Sequence, residues 1–343
     1  MQIGVLALAL LVAASAASGK TINTGVNGSD FAGCGSSAAP CRTISWALFE
    51  AAPGDTVQVG PGVYGDVNGD GDFDDPGEEP AQPIGGCFCV VPIQRRVTLR
   101  SRDGAGVTII DAGKSEGAVL QVGTGADGTT IGGPQNGFTL RHSLDAGLSV
   151  TFAQHTRILG NVATDNGGSG FQVYGDGAVV TGNRSTGNQI SGFELGSDGL
   201  VASGNLAESN GEHGFFVVNS SAKIENSSAI GNAMGGFYAD MAQLELESDV
   251  AIRNGLYGVY FDGTSDGRVT TSTLMGNGVK TAIPCGIDNA SHHELDARGN
   301  YWGSADGPGN GGADIVCQVD GDSNVVRDPF KKTEPKHPPK PLR

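Results

Sequence analysis

Cationic side chains are scarce in this chain. Its 343 residues carry 21 Lys and Arg against 37 Asp and Glu, a formal net charge of −16. The few basic residues that cluster (Lys331, Lys332, Lys336, Lys340) lie in a Pro-rich tail. Nucleic acid is therefore not an expected partner, because its binding rests on Lys and Arg neutralising phosphates. Long apolar runs are missing beyond residue 17, and a membrane span needs about 20 such residues, so none is expected in the body. No His or Cys set has the spacing of a zinc finger. Long helical bundles are excluded by 57 Gly and 15 Pro, the residues that helix interiors tolerate least. Gly lacks the every-third spacing of collagen, and a hydrophobic content of 38% suffices for a core, which excludes wholesale disorder. An acidic chain of this kind suits a soluble exported protein, a calcium binder or a reader of neutral glycans.

Residues 3–17 form one apolar run ending in small residues, with Ala14-Ser15-Ala16 as a cleavage pattern. Apart from its uncharged start, this is the form of an export signal. Six cysteines, an even count, agree with an oxidising destination, either secreted, extracellular or periplasmic. Cys34 and Cys41 are expected to pair, and Cys285 with Cys317 after them. Cys87 and Cys89, in the run CFC, are too close for an ordinary bridge. The expected layout is a signal peptide at 1–16 and an N-terminal cap at 17–54. Coils follow at 55–312, with an acidic insertion at 65–80, then a C-terminal segment and tail at 313–343. A monomer is expected.

A repeat sets the architecture. Asn166, Asn188, Asn210, Asn232 and Asn254 recur at intervals of 22 residues. Gly170-Phe171, Gly192-Phe193, Gly214-Phe215, Gly236-Phe237 and Gly258-Val259 keep the same interval, as do the small residues Ala163, Ser185, Ala207, Ala229 and Ala251. A unit of this length is too short for a helix pair and lacks the Leu pattern of a horseshoe, so it reads as one coil of a parallel β-solenoid. Coils stacked about 4.8 Å apart place equivalent residues directly over one another. The Asn side chains can then hydrogen-bond along the axis as a ladder. The Gly before each Phe is expected at positive φ. Earlier strands are expected at 56–59, 97–100, 107–110, 118–122, 138–140 and 148–152.

The units LGNVATDNGGSGFQVYG, TGNRSTGNQISGFELGS and SGNLAESNGEHGFFVVN resemble the repeats of the pectate-lyase-like superfamily. CRTISWALFEAAPGDTVQVGPGVY resembles the opening of many secreted members, and NYWGSADGPG resembles a segment near their end. The resemblance runs from about Cys34 to about Gly312. It implies an all-β, single-stranded right-handed parallel β-helix, preceded by a capping helix at 43–52 that plugs the open apolar end. It implies little about chemistry, because this scaffold hosts lyases, hydrolases, epimerases and non-catalytic surface proteins.

Two constellations carry candidate chemistry. In Asp66-Val67-Asn68-Gly69-Asp70-Gly71-Asp72-Phe73-Asp74, oxygen donors alternate around a Gly turn, the pattern that calcium needs. It is similar to the loops of EF-hand and dockerin modules. Position 12 is Gly77, so Glu78 or Glu79 must supply the last carboxylate. The expected ligands are Asp66, Asn68, Asp70, Asp72, Asp74 and Glu78, and the alternative is an acidic surface loop.

The second constellation follows from strand alternation. If Phe171 and Val173 point inward, Gln172, Glu194, Phe216, Tyr238 and Tyr260 form an outward column. Tyr174, Gly196, Val218, Asp240 and Asp262 flank it on one side, and Ser169, Ser191, His213, Gly235 and Tyr257 on the other. Aromatic faces stack on pyranose rings and carboxylates bond their hydroxyls. Tyr174, His213, Phe216, Tyr238, Tyr257 and Tyr260 are therefore the candidate substrate-binding residues for an extended polysaccharide. Asp240 and Asp262, one coil apart, together with Glu194, are the candidate catalytic residues, in the manner of paired-carboxylate hydrolysis. A lyase needs a Lys or Arg base, and these columns contain none. Polygalacturonase-type motifs are absent, Gly211-Glu212-His213-Gly214 being a distant echo. An enzyme on this chain would be a glycoside hydrolase or a polysaccharide lyase, and the rival reading is a non-catalytic surface or matrix protein. His292, His293 and Glu294 could hold a metal, although adjacent His residues project to opposite faces of a strand.

Overall fold

The computed structural model describes residues 19–80, 87–317 and 325–335. The expected signal peptide and the end of the tail lie outside the described residues. Three parallel sheets of twelve, ten and nine strands run side by side along the molecule. Each regular coil gives one short strand to each sheet, for example Val179–Thr181, Arg184–Thr186 and Phe193–Leu195. Strands this short follow from the turn that closes each side of a 22-residue coil. The pairing register holds the repeat interval, so that Phe171, Phe193, Phe215 and Phe237 lie over one another. Their rings stack at centroid distances of 4.9, 4.7 and 4.9 Å in a fully buried column. Burying such a side chain contributes about 1.5–3 kcal/mol.

The Gly of each Gly-Phe pair is not at positive φ, against expectation. Its role is space. A Cβ at Gly170, Gly192, Gly214, Gly236 or Gly258 would lie 2.9 Å from the Asn amide nitrogen of the next coil, and 2.5–2.9 Å from a backbone carbonyl oxygen there. Positive φ is placed instead on the residue before each Asn rung, at Gly187 (+68°) and Gly231 (+64°) but also at Ser209 (+57°) and Arg253 (+55°).

Asn rungs fill two corners. In one, Asn166, Asn188, Asn210, Asn232, Asn254 and Asn277 each accept from the backbone N–H of the preceding rung or its counterpart. Their Nδ2 groups donate to strand carbonyls such as Ala163 O and Ser185 O. This column ends on Asp314, which accepts from Gly276 N, Asn277 N and Asn277 Nδ2. In the other corner the order is Asn161, Asn183, Asn205, Ser227, Asp249, Ser272 and Asn300. Buried polar groups are thereby paired along the axis.

The helix spans Ile44–Glu50, with the Thr43 hydroxyl accepting from Trp46 N. It is shorter than expected because Ala51 is already extended (φ −76°, ψ 138°) ahead of Ala52-Pro53. Ile44, Ser45, Ala47 and Leu48 are its buried residues. Strands fall within two residues of expectation, at Thr98–Ser101, Thr108–Asp111, Thr139–Arg141 and Leu148–Val150. After residue 312, Ile315–Cys317 and Val325–Val326 still pair with the sheets.

Cys34–Cys41 and Cys285–Cys317 are bonded as expected. Cys87–Cys89 is bonded too, which corrects the reading from spacing. The chain bends at Phe88, and the two Cα atoms stand 5.4 Å apart, within the usual disulfide range.

Candidate functional site

The outward face of the ten-stranded sheet carries the aromatic residues. Register places Gln172, Glu194, Phe216, Tyr238, Tyr260 and Asp288 in one column. Val218, Asp240 and Asp262 form the next. Ring centroids are 5.2 Å apart for Phe216 and Tyr238, 5.2 Å for Tyr238 and Tyr260, and 4.9 Å for Tyr257 and Tyr260. These are contact distances for aromatic pairs. Asp288 was missed in the sequence because the loop at 276–284 stretches its interval from Tyr260 to 28 residues. The break in period after Asn277 was the signal available.

His213 differs from expectation. It is not an open position of the strip but lies 5% exposed, with Tyr238 at 4.8 Å and Phe216 and Tyr257 both at 6.0 Å between centroids. Burial pushes its pKa down to about 4, so the ring is neutral at neutral pH. Among the described residues its Nδ1 has no hydrogen-bond partner, and neither does the buried Ser191 Oγ one coil away.

The candidate carboxylates separate into two groups. Asp240 and Asp262 are register partners, hence about 5 Å apart along the axis. Asp262 accepts from the Tyr238 hydroxyl at 3.1 Å. Burial and then the neighbouring Asp262 raise the Asp240 carboxyl above its ordinary range. Glu194 stands two coils from Asp240 and is occupied. It accepts from Tyr174 Oη, Ser169 Oγ and Gln172 Nε2. Burial, followed by these acids, pushes the Tyr174 and Tyr238 hydroxyls up, and burial does the same to Tyr257.

In the acidic loop, ligand atoms of Asp66, Asp70 and Glu78 lie within 4.8 Å of one another. Asp66 is buried and accepts from Gly69 N and Gly71 N, while Glu78 accepts from Val67 N and Asp75 N. The other expected ligands are not gathered there. Asn68 turns its amide to Asp70 and Asp75, and Asp74 pairs with Asp72, whose bond raises its pKa. Glu79 is taken by the helix, its carboxylate accepting from Ile44 N at 2.6 Å and Ser45 N at 2.9 Å. Among the described residues, His292, His293 and Glu294 join no metal-binding group.

A family model described as a right handed beta helix region matches residues 104–247 and 136–300. A search of curated proteins returned no match. Among solved structures, a rhamnogalacturonan lyase aligns over 90% of this chain and 88% of its own at 14% identity, with a TM-score of 0.52. Pectate lyase Pel9A aligns over 92% and 79% at 14% identity (TM-score 0.49). The A-module of the Azotobacter vinelandii mannuronan C-5 epimerase AlgE4 aligns over 82% and 89% at 19% identity (TM-score 0.46). At these identities the likeness is one of fold.

Proposed function

We propose, for a chain that belongs to the right-handed beta-helix family, that it is an exported protein binding an extended polysaccharide along its ten-stranded sheet. The observation that carries this reading is the strip of Phe216, Tyr238, Tyr257 and Tyr260, with rings at 4.9–5.2 Å, bordered by Asp240 and Asp262. Rings of this kind offer flat apolar faces to pyranoses while adjacent carboxylates accept from sugar hydroxyls. Hydrolysis is the activity these residues would support. Asp240, whose carboxyl burial and the neighbouring Asp262 raise, would hold the proton for the leaving oxygen, and Asp262, its register partner one coil away, would be the second carboxylate of the pair. Export is supported by the apolar run at 3–17 and by three disulfides.

Binding to immobilised polysaccharides tests the reading. Tyr238→Ala and Tyr260→Ala should each weaken retention about tenfold, and reducing ends should accumulate with wild type but not with Asp240→Asn. Absence of binding to every polysaccharide would leave the matrix or surface-rod alternative. Release of unsaturated uronates would make the protein a lyase instead.

Calcium is proposed at Asp66, Asp70 and Glu78, hard oxygens on a Gly turn, where it would pin the acidic loop to the cap. Titration calorimetry should show calcium binding that Asp66→Ala abolishes, and equal binding by both proteins would refute the site.

A further inference from the structure

We infer that the ligand of the aromatic strip is a neutral glycan and not a polyuronate, an inference that rests on the polysaccharide-binding reading above. The strip and its flanking columns present Glu194, Asp240, Asp262 and Asp288, and no Lys or Arg occupies these columns. A chain of uronates laid along the strip would bring carboxylate against carboxylate with no Lys or Arg side chain between. Its repulsion would be strengthened by the apolar rings that displace water. The one imidazole on the face does not offset this, because His213 is buried among aromatics and neutral at neutral pH. Lys280 lies outside the strip, its stem over Gly255.

Hydrogen-bond capacity points the same way. A uronate carboxylate needs donors, and four side-chain donors of this face are spent on the protein's own acids. Tyr174, Ser169 and Gln172 all donate to Glu194, and Tyr238 donates to Asp262. Acceptors remain. Among the described residues, the Asp240 carboxylate accepts no hydrogen bond and the Asp262 carboxylate accepts one, from Tyr238, leaving lone pairs for hydroxyl donors. A surface with spent donors, open acceptors and flat rings is complementary to a neutral polyol.

The test compares full-length protein on immobilised neutral polysaccharides (a β-glucan, a galactomannan, an arabinoxylan) with polygalacturonate and alginate, each in chelator and in calcium. Retention on at least one neutral polysaccharide, lost in Tyr238→Ala, is expected, with polyuronate binding at least about tenfold weaker and the gap narrowing in high salt. In Asp240→Asn/Asp262→Asn, neutral binding should fall and polyuronate binding should rise. Tyr238-dependent binding to a polyuronate equal to or above that to the neutral polymers, with or without calcium, would overturn the inference and leave the polysaccharide reading intact. Binding to neither class would overturn the polysaccharide reading itself.

Discussion

The two corner columns of this β-helix solve the same problem with different residues. From Asn166 to Asn277 every rung is an amide that accepts from the coil before it and donates to a strand carbonyl. From Asn161 to Asn300 the column passes through Ser227, Asp249 and Ser272. The serines accept from the neighbouring rung but donate within their own turn, to Glu225 O and Thr270 O. Asp249 accepts on both oxygens, from Ser227 N and Glu247 N. Acceptance along the axis is thus the fixed requirement of a rung, and donation is negotiable. The uniform column is the one packed beside the Gly-Phe corner, where a Cβ on the Gly would already collide with the amide. Its geometry leaves room for Asn, and for the carboxylate of Asp314 at its end.

The sharpest way to break this comparison is to remove a rung from each column. Asn210→Ala strips the acceptor from Asn188 N and Nδ2 and the donor from Ser185 O, and should destabilise by about 3–5 kcal/mol. Ser227→Ala removes one acceptor for Asn205 N and should cost about 1 kcal/mol. Urea unfolding of the two variants measures both, and equal losses would show that the columns do not differ in kind.

A smaller effect, of opposite sign, is expected at Asp249. Burial raises its folded pKa well above the ordinary carboxylate range, against the two backbone bonds that lower it. A group with a raised folded pKa contributes stability below its unfolded pKa and loses it as pH rises through the folded value. Asp249→Asn should therefore stabilise the protein at neutral pH, relief of the buried charge outweighing the lost acceptor for Glu247 N, and flatten its decline with rising pH. Asp314, also raised by burial, would retain its own smaller slope in that variant. Unfolding midpoints across the acid-to-neutral range give the answer, and a variant that is weaker than wild type at neutral pH would refute the argument.

The uniform column was legible in the sequence because it repeats one residue type at one interval. The mixed column was not, since Asn161, Asn183 and Asn205 give way to Ser, Asp and Ser before an alphabetic pattern can form. The hydrogen bonds from rung to rung reveal them as equivalents. The aromatic strip was equally readable, because alternation on a strand assigns sides without knowledge of contacts. What alternation could not convey is which polar groups are already engaged. Glu194 reads as a free carboxylate, but three side chains converge on it. Glu79 and Glu78 are neighbours with different tasks, because the acidic segment folds back so that one faces the Asp turn and the other the helix. The pairing of Cys87 with Cys89 depended on a bend at one residue, below the resolution of any spacing rule.

The lock between Gly, Asn and the small residue of successive coils has an evolutionary consequence. An inserted or deleted residue within a strand or corner would set a side chain against the neighbouring coil where only hydrogen fits, whereas gain or loss of a whole unit restores every contact. Change in length is therefore quantised for this chain. Lineages should differ by complete coils or by loops that leave at a corner, as the segment before Cys285 does, and the length of the ligand that the rod can span should step with them.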